Sequence, residues 1–314
     1  MEFYERMFLG MLISCGLAMP AAASSRNYNK ICEASAATLV DQSHVAIASD
    51  DYETILIYQR GQPQPVSRYD LGDDATDIEA AARIDDIIYW TTSHSLNKDG
   101  EDKKKRKLLF ATRIKSDGTL SSEGKVYRNL RQDLALALNE TEANLKVRFN
   151  IEGMTDTPDG HLLIGLRGPR TEQADEAILV EIGNPAELIA SNAKDRRARV
   201  SRIVKLGLSD GTGATGRGIR DIARVGDRYL IVAGSEPDGG VPAPKLFWWD
   251  GKSDKATAGP DADFSGMTPE AVVVWNDHEA EIFSDNGGAV IDDAECGDKS
   301  PPANASFPAL DVEF

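Results

Sequence analysis

The sequence predicts an all-β fold, a β-propeller with five countable blades, on three observations. One phrase recurs along the chain. A further short apolar stretch follows each copy. Turn chemistry separates the stretches. Repeats of three or four short strands are what a propeller requires, because each sheet buries its faces against its neighbours.

The copies run in order. "DIEAAARIDDIIYWTTSHS" starts at Asp77, "NIEGMTDTPDGHLLIGLRGP" at Asn150, "GIRDIARVGDRYLIVAGSEP" at Gly218 and "TPEAVVVWNDHEAEIFSDNG" at Thr268. Each opens on a short apolar stretch carrying Glu or Arg, turns through DD, PDG, GD or ND, and continues as a β-branched apolar run. A looser copy, "CEASAATLVDQSHVAIASDD", starts at Cys32. The charged positions are Glu33, Glu79, Glu152, Arg220 and Glu270, spaced by 46, 73, 68 and 50 residues. "TILIYQ", "KLLFATRI", "AILVEI" and "KLFWWDG" supply third strands. The two long intervals hold insertions: a helical one at 130–145, and a helix with a strand at 185–208. A sixth blade is expected only if the second insertion hides one.

The first 23 residues read as a secretion signal, with an apolar core and small residues before a cleavage point after Ala23. "LISC", ending at Cys15, also matches a lipoprotein box. Residues 24–314 are then one exported domain, periplasmic or extracellular, with no transmembrane segment. A net charge of −16 excludes nucleic acid and anionic lipid as partners. It allows a small anionic substrate if a metal intervenes, and nothing in the chain asks for more than a monomer. Beyond the leader two cysteines remain, Cys32 and Cys296, near the two ends of the chain. A propeller brings its ends together, so a bridge between them is expected in an oxidising compartment.

Propeller geometry gives the repeated charge a purpose. The first strand of every blade lines the central channel, so equivalent positions meet around the axis. Glu79, Glu152 and Glu270 are expected to form a carboxylate ring at one mouth, with Glu33 as a further candidate and Arg220 as the basic exception. Such a ring raises its own pKa values or binds a cation. Oxygen ligands without cysteine point to Ca²⁺. The ends of the second strands should reach the same face, because adjacent strands are antiparallel. They carry Asp50 and Asp51, Ser93 and His94, Arg167 with Arg170, Ser235 and Glu236, and Ser284 with Asp285.

Other motifs are weaker. "GTGATG" at 211–216 fits a dinucleotide fingerprint but lacks the long helix that must follow. No nucleophile elbow, HExxH or Walker loop occurs. "EDKKKRK" at 101–107 reads as a solvated hairpin tip, with an anion-binding lip as the other reading. "FWW" at 247–249 reads as packing between blades.

The phrases "ASDDYETILIY", "DIEAAAR", "YWTTSHS", "NIEGM", "PDGHLLIGLRGP", "GRGIRDI", "LFWWDG", "PEAV" and "FSDNGG" resemble, in this order, the secreted bacterial family called domain of unknown function 3616. The resemblance covers roughly residues 44–290. It implies a β-propeller distantly similar to phytase-like and esterase-like propellers, in which channel carboxylates hold Ca²⁺ and basic residues receive phosphate. The family has no assigned activity, so the resemblance implies no reaction.

The functional expectation is Ca²⁺-assisted hydrolysis of a phosphate or other ester. Glu79, Glu152 and Glu270 would hold the metal. Arg167, Arg170, Arg217 and Arg220 would bind the anionic group. His94 or Asp285 would handle the proton. The alternative is a non-catalytic binding module whose acidic ring is structural.

Overall fold

The computed structural model describes residues 25–72, 75–169, 176–192, 195–208, 211, 216–235, 240–291, 294–296 and 301–314. The secretion signal read at 1–23, Arg170 and Glu236 lie outside the described residues.

The chain begins with β1 (Ser25–Asn29), then makes blade 1 from β2 (Ala36–Leu39), β3 (His44–Ala48), β4 (Thr54–Gln59) and β5 (Pro65–Asp70). Blade 2 is β6 (Ile78–Ile84), β7 (Ile87–Thr92), β8 (Leu109–Ile114) and β9 (Leu120–Tyr127). The first insertion forms α1 (Leu130–Ala137) and α2 (Glu142–Leu145). Blade 3 is β10 (Asn150–Asp156), β11 (Leu162–Gly168), β12 (Ala177–Ile182) and β13 (Val200–Leu206), with α3 (Pro185–Ile189) before its last strand. The second insertion therefore hides no sixth blade; its strand completes blade 3. Blade 4 is β14 (Arg217–Val225), β15 (Arg228–Ser235), β16 (Lys245–Trp249) and β17 (Thr257–Ala258).

Blade 5 closes the ring. It starts with β18 (Pro269–Asn276) and β19 (Glu279–Ser284), and a small hairpin follows, β20 (Val290–Ile291) with β21 (Ala294–Glu295). The chain then returns as β22 (Ser306–Glu313), and β1 pairs outside it, so the sheet order is β1-β22-β19-β18. Both ends of the described chain thus share one sheet. The inner strands pack on one another in sequence, and β18 packs back on β2.

Each of the five interfaces between blades has its own apolar core. Blades 1 and 2 bury Ile55, Ile88 and Trp90; blades 5 and 1 bury Tyr28, Tyr58, Phe283 and Phe307. A sheet covered on both faces favours a continuous apolar run over alternation, which is why β11 is buried throughout and apolar as far as Arg167. The outer strand β5 meets solvent on one face and alternates instead. Phe247 and Trp249 are buried between blades 3 and 4, as packing residues should be. A cavity of about 140 Å³ at one end of the axis is lined by all five inner strands, among them Ala37, Ala81, Met154, Ile222 and Val272.

Candidate cation site at the channel mouth

The ring residues share a backbone device. In β6, Ile78 pairs with Thr92 and Ala80 with Thr91, so Glu79 is an extra residue between two consecutive partners. Glu152 is the extra residue between Ile151 and Gly153, Arg220 between Ile219 and Asp221, and Glu270 between Pro269 and Ala271. A β-bulge bends a strand and re-aims the side chain it inserts. Here it occurs at the same place in four blades. Blade 1 differs. Ala36 pairs with Ala48 as Ala80 pairs with Thr91, which puts Ser35 at the ring position and Glu33 two residues earlier. Glu33 instead forms an isolated antiparallel bridge with Asp285.

The ends of the second strands do come to this mouth. Backbone hydrogen bonds tie them to the next blade: Asp77 N donates to Asp50 O at 2.9 Å, Ile151 N to Ser93 O at 2.9 Å, and Ala34 N to Ser284 O at 3.2 Å. The mouth then divides into two halves.

The half formed by blades 3, 4 and 5 is neutralised from within. Arg167 Nη1 donates to Glu152 Oε1 at 2.6 Å, and Asn150 Nδ2 donates to the same oxygen at 2.8 Å. Arg220 spans two blades: its Nε lies 3.2 Å from Glu152 Oε2, and its Nη2 donates to Glu270 Oε1. All four charged side chains are buried. Burial raises the pKa of Glu270 well above the carboxylate range, while Arg220 opposes the shift. Arg217 is buried beside Phe247, with Nε 3.3 Å from Ala243 O. Below the ring, Asp221 accepts from Val272 N and Ile222 N, each at 2.8 Å. Its pKa is also pushed well up by burial, against these bonds.

The half between blades 1 and 2 is acidic. Glu33, Asp50 and Asp51 each offer an oxygen within 4.8 Å of the others, and so do Asp50, Asp77 and Glu79. Asp50 belongs to both groups. Glu33 is enclosed: Ser49 Oγ donates to it, and Asp51 N donates to it at 3.1 Å. Arg106 enters this half, 2.5 Å from Asp77 Oδ1, and Ser93 Oγ donates to Asp77. Burial, then contact with Asp50 and the charges of Asp51 and Asp285, push Glu33 far above the usual range. Burial raises Glu79 well above it too, helped by Asp77 and Asp50. Burial raises Asp77 to about 7 even though Arg106 holds it down. These carboxylates need protons or a cation.

The residues suit a hard cation. The donors are all oxygens. Among the described residues no hydrogen-bond donor reaches the buried Asp50 Oδ1. The backbone also leaves room, because a Cβ added at Gly287 would fall 2.1 Å from Glu33 Oε2 and 3.2 Å from an oxygen of both Asp51 and Asp285.

The structure therefore gathers Glu79, Glu152, Arg220, Glu270, Arg167 and Asp285 at one mouth, and gives Glu152 and Glu270 arginine partners. His94 stands apart. Its ring is fully buried, Nε2 is 3.3 Å from Leu108 O, and desolvation lowers its pKa to about 3. The basic run at 101–107 is only partly a solvated tip, since Arg106 reaches Asp77. Sequence reasoning missed Arg106 and Gly287. Arg106 comes from a loop outside the repeated phrase, and Gly287 is the last residue of the copy that starts at Thr268, where the phrase does not show that it faces Glu33.

No family model matches the chain, and no curated protein does. Solved structures similar to it include glutaminyl cyclase from Myxococcus xanthus, with TM-score 0.47, 12% identity, 92% of this chain and 97% of that one. A pyrroloquinoline-quinone-bound aldose sugar dehydrogenase from Streptomyces coelicolor gives TM-score 0.38 and 13% identity over 94% of this chain and 99% of that one. The WD40 propeller domain of Doa1 gives TM-score 0.35 and 10% identity over 84% and 66%. The five-bladed assignment rests on the sheets themselves. No helix among the described residues is long and apolar enough to cross a membrane.

Proposed function

We propose that the acidic half of the mouth holds a hard divalent cation of the Ca²⁺ type, and that the protein uses it to hydrolyse a phosphate or other ester. The observation that carries this reading is the pair of carboxylate triads sharing Asp50, whose buried Oδ1 meets no donor among the described residues. Asp50 with Glu33, Asp51, Asp77 and Glu79 would hold the ion. Of the expected ligands Glu79 stays in the set, while Glu152 and Glu270 serve to hold arginines. A bound Ca²⁺ supplies a Lewis acid for an ester oxygen.

The chain's own residues supply the rest. Glu152 and Glu270 fix Arg220 across the mouth from the acidic half, and Glu152 fixes Arg167. An anionic group between the halves would meet guanidinium on one side. Arg217 and Arg170 are the further candidates for that side. Asp285, opposite Glu33, is the candidate proton carrier. His94 is shut away from solvent and takes no such part in this conformation. Export is part of the same proposal, supported by the Cys32–Cys296 disulfide.

One observation favours a second reading, a binding module without catalysis: Arg167 and Arg220 already have carboxylate partners. One experiment separates the two. Metal content is measured by mass spectrometry on protein purified without chelator, beside a screen of phosphomonoesters, phosphodiesters and carboxylic esters with added Ca²⁺. Bound metal with turnover is the expected result. Metal without turnover leaves a cation-binding module, and neither metal nor turnover overturns the cation reading and favours the module whose acidic ring is structural.

A further inference from the structure

The ring closes without help from the disulfide. β1 pairs with β22 over Ser25–Asn29. Tyr28 OH donates to the buried Glu281 at 2.8 Å, and Arg26 binds Asp311 at 2.8 Å. The rings of Tyr28, Tyr58, Phe283 and Phe307 pack together at the seam. Cys32 lies beyond this clasp. What its bond to Cys296, with Cα atoms 5.9 Å apart, adds to the folded state is local.

Cys32 directly precedes Glu33. Its carbonyl accepts from Asn286 N at 3.1 Å, Ala34 N donates to Ser284 O at 3.2 Å, and Glu33 faces Asp285 between them. Cys296 approaches from the other side. Its N donates to Ala289 O at 2.8 Å, and its carbonyl accepts from Tyr52 OH. Tyr52 N in turn donates at 3.2 Å to Ser49 Oγ, the hydroxyl that donates to Glu33. Gly287 is held inside this loop of contacts, with its N donating to Asp285 Oδ1 at 2.7 Å. Covalent and hydrogen-bonded links thus run from the disulfide to both sides of the first carboxylate triad.

We infer that Cys32–Cys296 is a positioning element of the cation site: it straps the segment from Asp285 to Ala289 against Glu33 and Asp51, so that the triad is held at ligand spacing. The inference rests on the cation reading above. Outer partners that orient ligands commonly change metal affinity 10- to 100-fold when removed. The strap belongs to that class, because neither sulfur is a ligand.

The test compares Ca²⁺ affinity by calorimetry in three variants, at a temperature where circular dichroism shows each one folded. Cys32→Ser with Cys296→Ser should weaken binding roughly 10- to 100-fold. Gly287→Ala should weaken it similarly with the disulfide intact, since the new methyl group enters the space beside Glu33. Tyr28→Phe, which loosens the seam but leaves the strap, should bind as the wild type does. Unchanged affinity in the double serine variant overturns the inference and leaves the cation reading standing. So does an equal loss in Tyr28→Phe, which would mean that affinity follows general stability. If the double variant does not fold, the Ca²⁺ affinity of the wild type before and after reduction of the bond, measured where circular dichroism shows both folded, decides: unchanged affinity on reduction overturns the inference. A wild type that takes up no Ca²⁺ overturns the cation reading, and the inference with it.

Discussion

The two halves of the channel mouth carry the same kind of residue in opposite circumstances. Glu152 and Glu270 are buried carboxylates with guanidinium partners inside the ring. Glu33, Asp50, Asp51, Asp77 and Glu79 are crowded carboxylates, into which Arg106 brings a positive charge through Asp77. A buried ion pair is costly to break, because the remaining charge has neither water nor a partner. A cluster of like charges is costly to keep, and removing one member relieves the rest. One half is therefore a structural joint. The other stores electrostatic strain that a cation can release.

The largest effects should come from breaking the joint. Glu152→Gln removes the charge that Arg167 and one side of Arg220 bind among the described residues, and should cost about 3–5 kcal/mol. Arg220→Glu adds a like charge between Glu152 and Glu270 and should leave little folded protein. Urea titration followed by circular dichroism measures both. If either variant is as stable as the wild type, the arginine half is not the joint described here.

Asp50→Asn should behave in the opposite sense. In chelator, removing the shared charge of the acidic half should leave stability unchanged or raise it by up to about 1 kcal/mol. In Ca²⁺ at a hundred times the dissociation constant, the wild type should gain about 2.7 kcal/mol and the variant much less. Melting curves with and without Ca²⁺ test this. A variant destabilised in chelator as strongly as Glu152→Gln would erase the difference between the halves.

The smallest effect concerns pH. The folded state raises Asp77 from 3.8 to about 7. Folded protein therefore holds a proton that the unfolded chain releases, and the stability this contributes is lost as pH rises from about 4 to 7. Chelated protein should melt higher at pH 5.5 than at pH 7.5, and Ca²⁺ should narrow the gap. Asp77→Asn should make the profile shallower across that window, the remaining slope coming from the other raised carboxylates, Glu33, Glu79, Asp221 and Glu270. A wild-type profile that rises with pH there would show that Asp77 is not held in its protonated form.

Much of this was legible in one dimension. A propeller repeats its local chemistry, so the recurrent charge, turn and apolar run showed the inner strands, five blades and a charged mouth. The Cys32–Cys296 bond followed from two cysteines near the ends of a ring, although the ring itself is closed by the pairing of β1 with β22. The sequence also marked Glu79, Glu152, Arg220 and Glu270 as equivalent positions, because a bulge at the same point of each strand leaves the same spacing before the turn.

Tertiary structure decided which of those charges are satisfied. Glu33 looks like the fifth ring residue until strand register puts Ser35 there and turns Glu33 toward Asp285. Asp50 joins both triads only because blades 1 and 2 bond backbone to backbone at Asp77. Arg106 reaches Asp77 from a loop that reads as solvated, and Gly287 makes room from a different blade. Strand period and turn type are set by neighbours along the chain, so the sequence determines them. The partner of a buried charge is set by distances of a few ångströms between blades, and those exist only once the ring has closed.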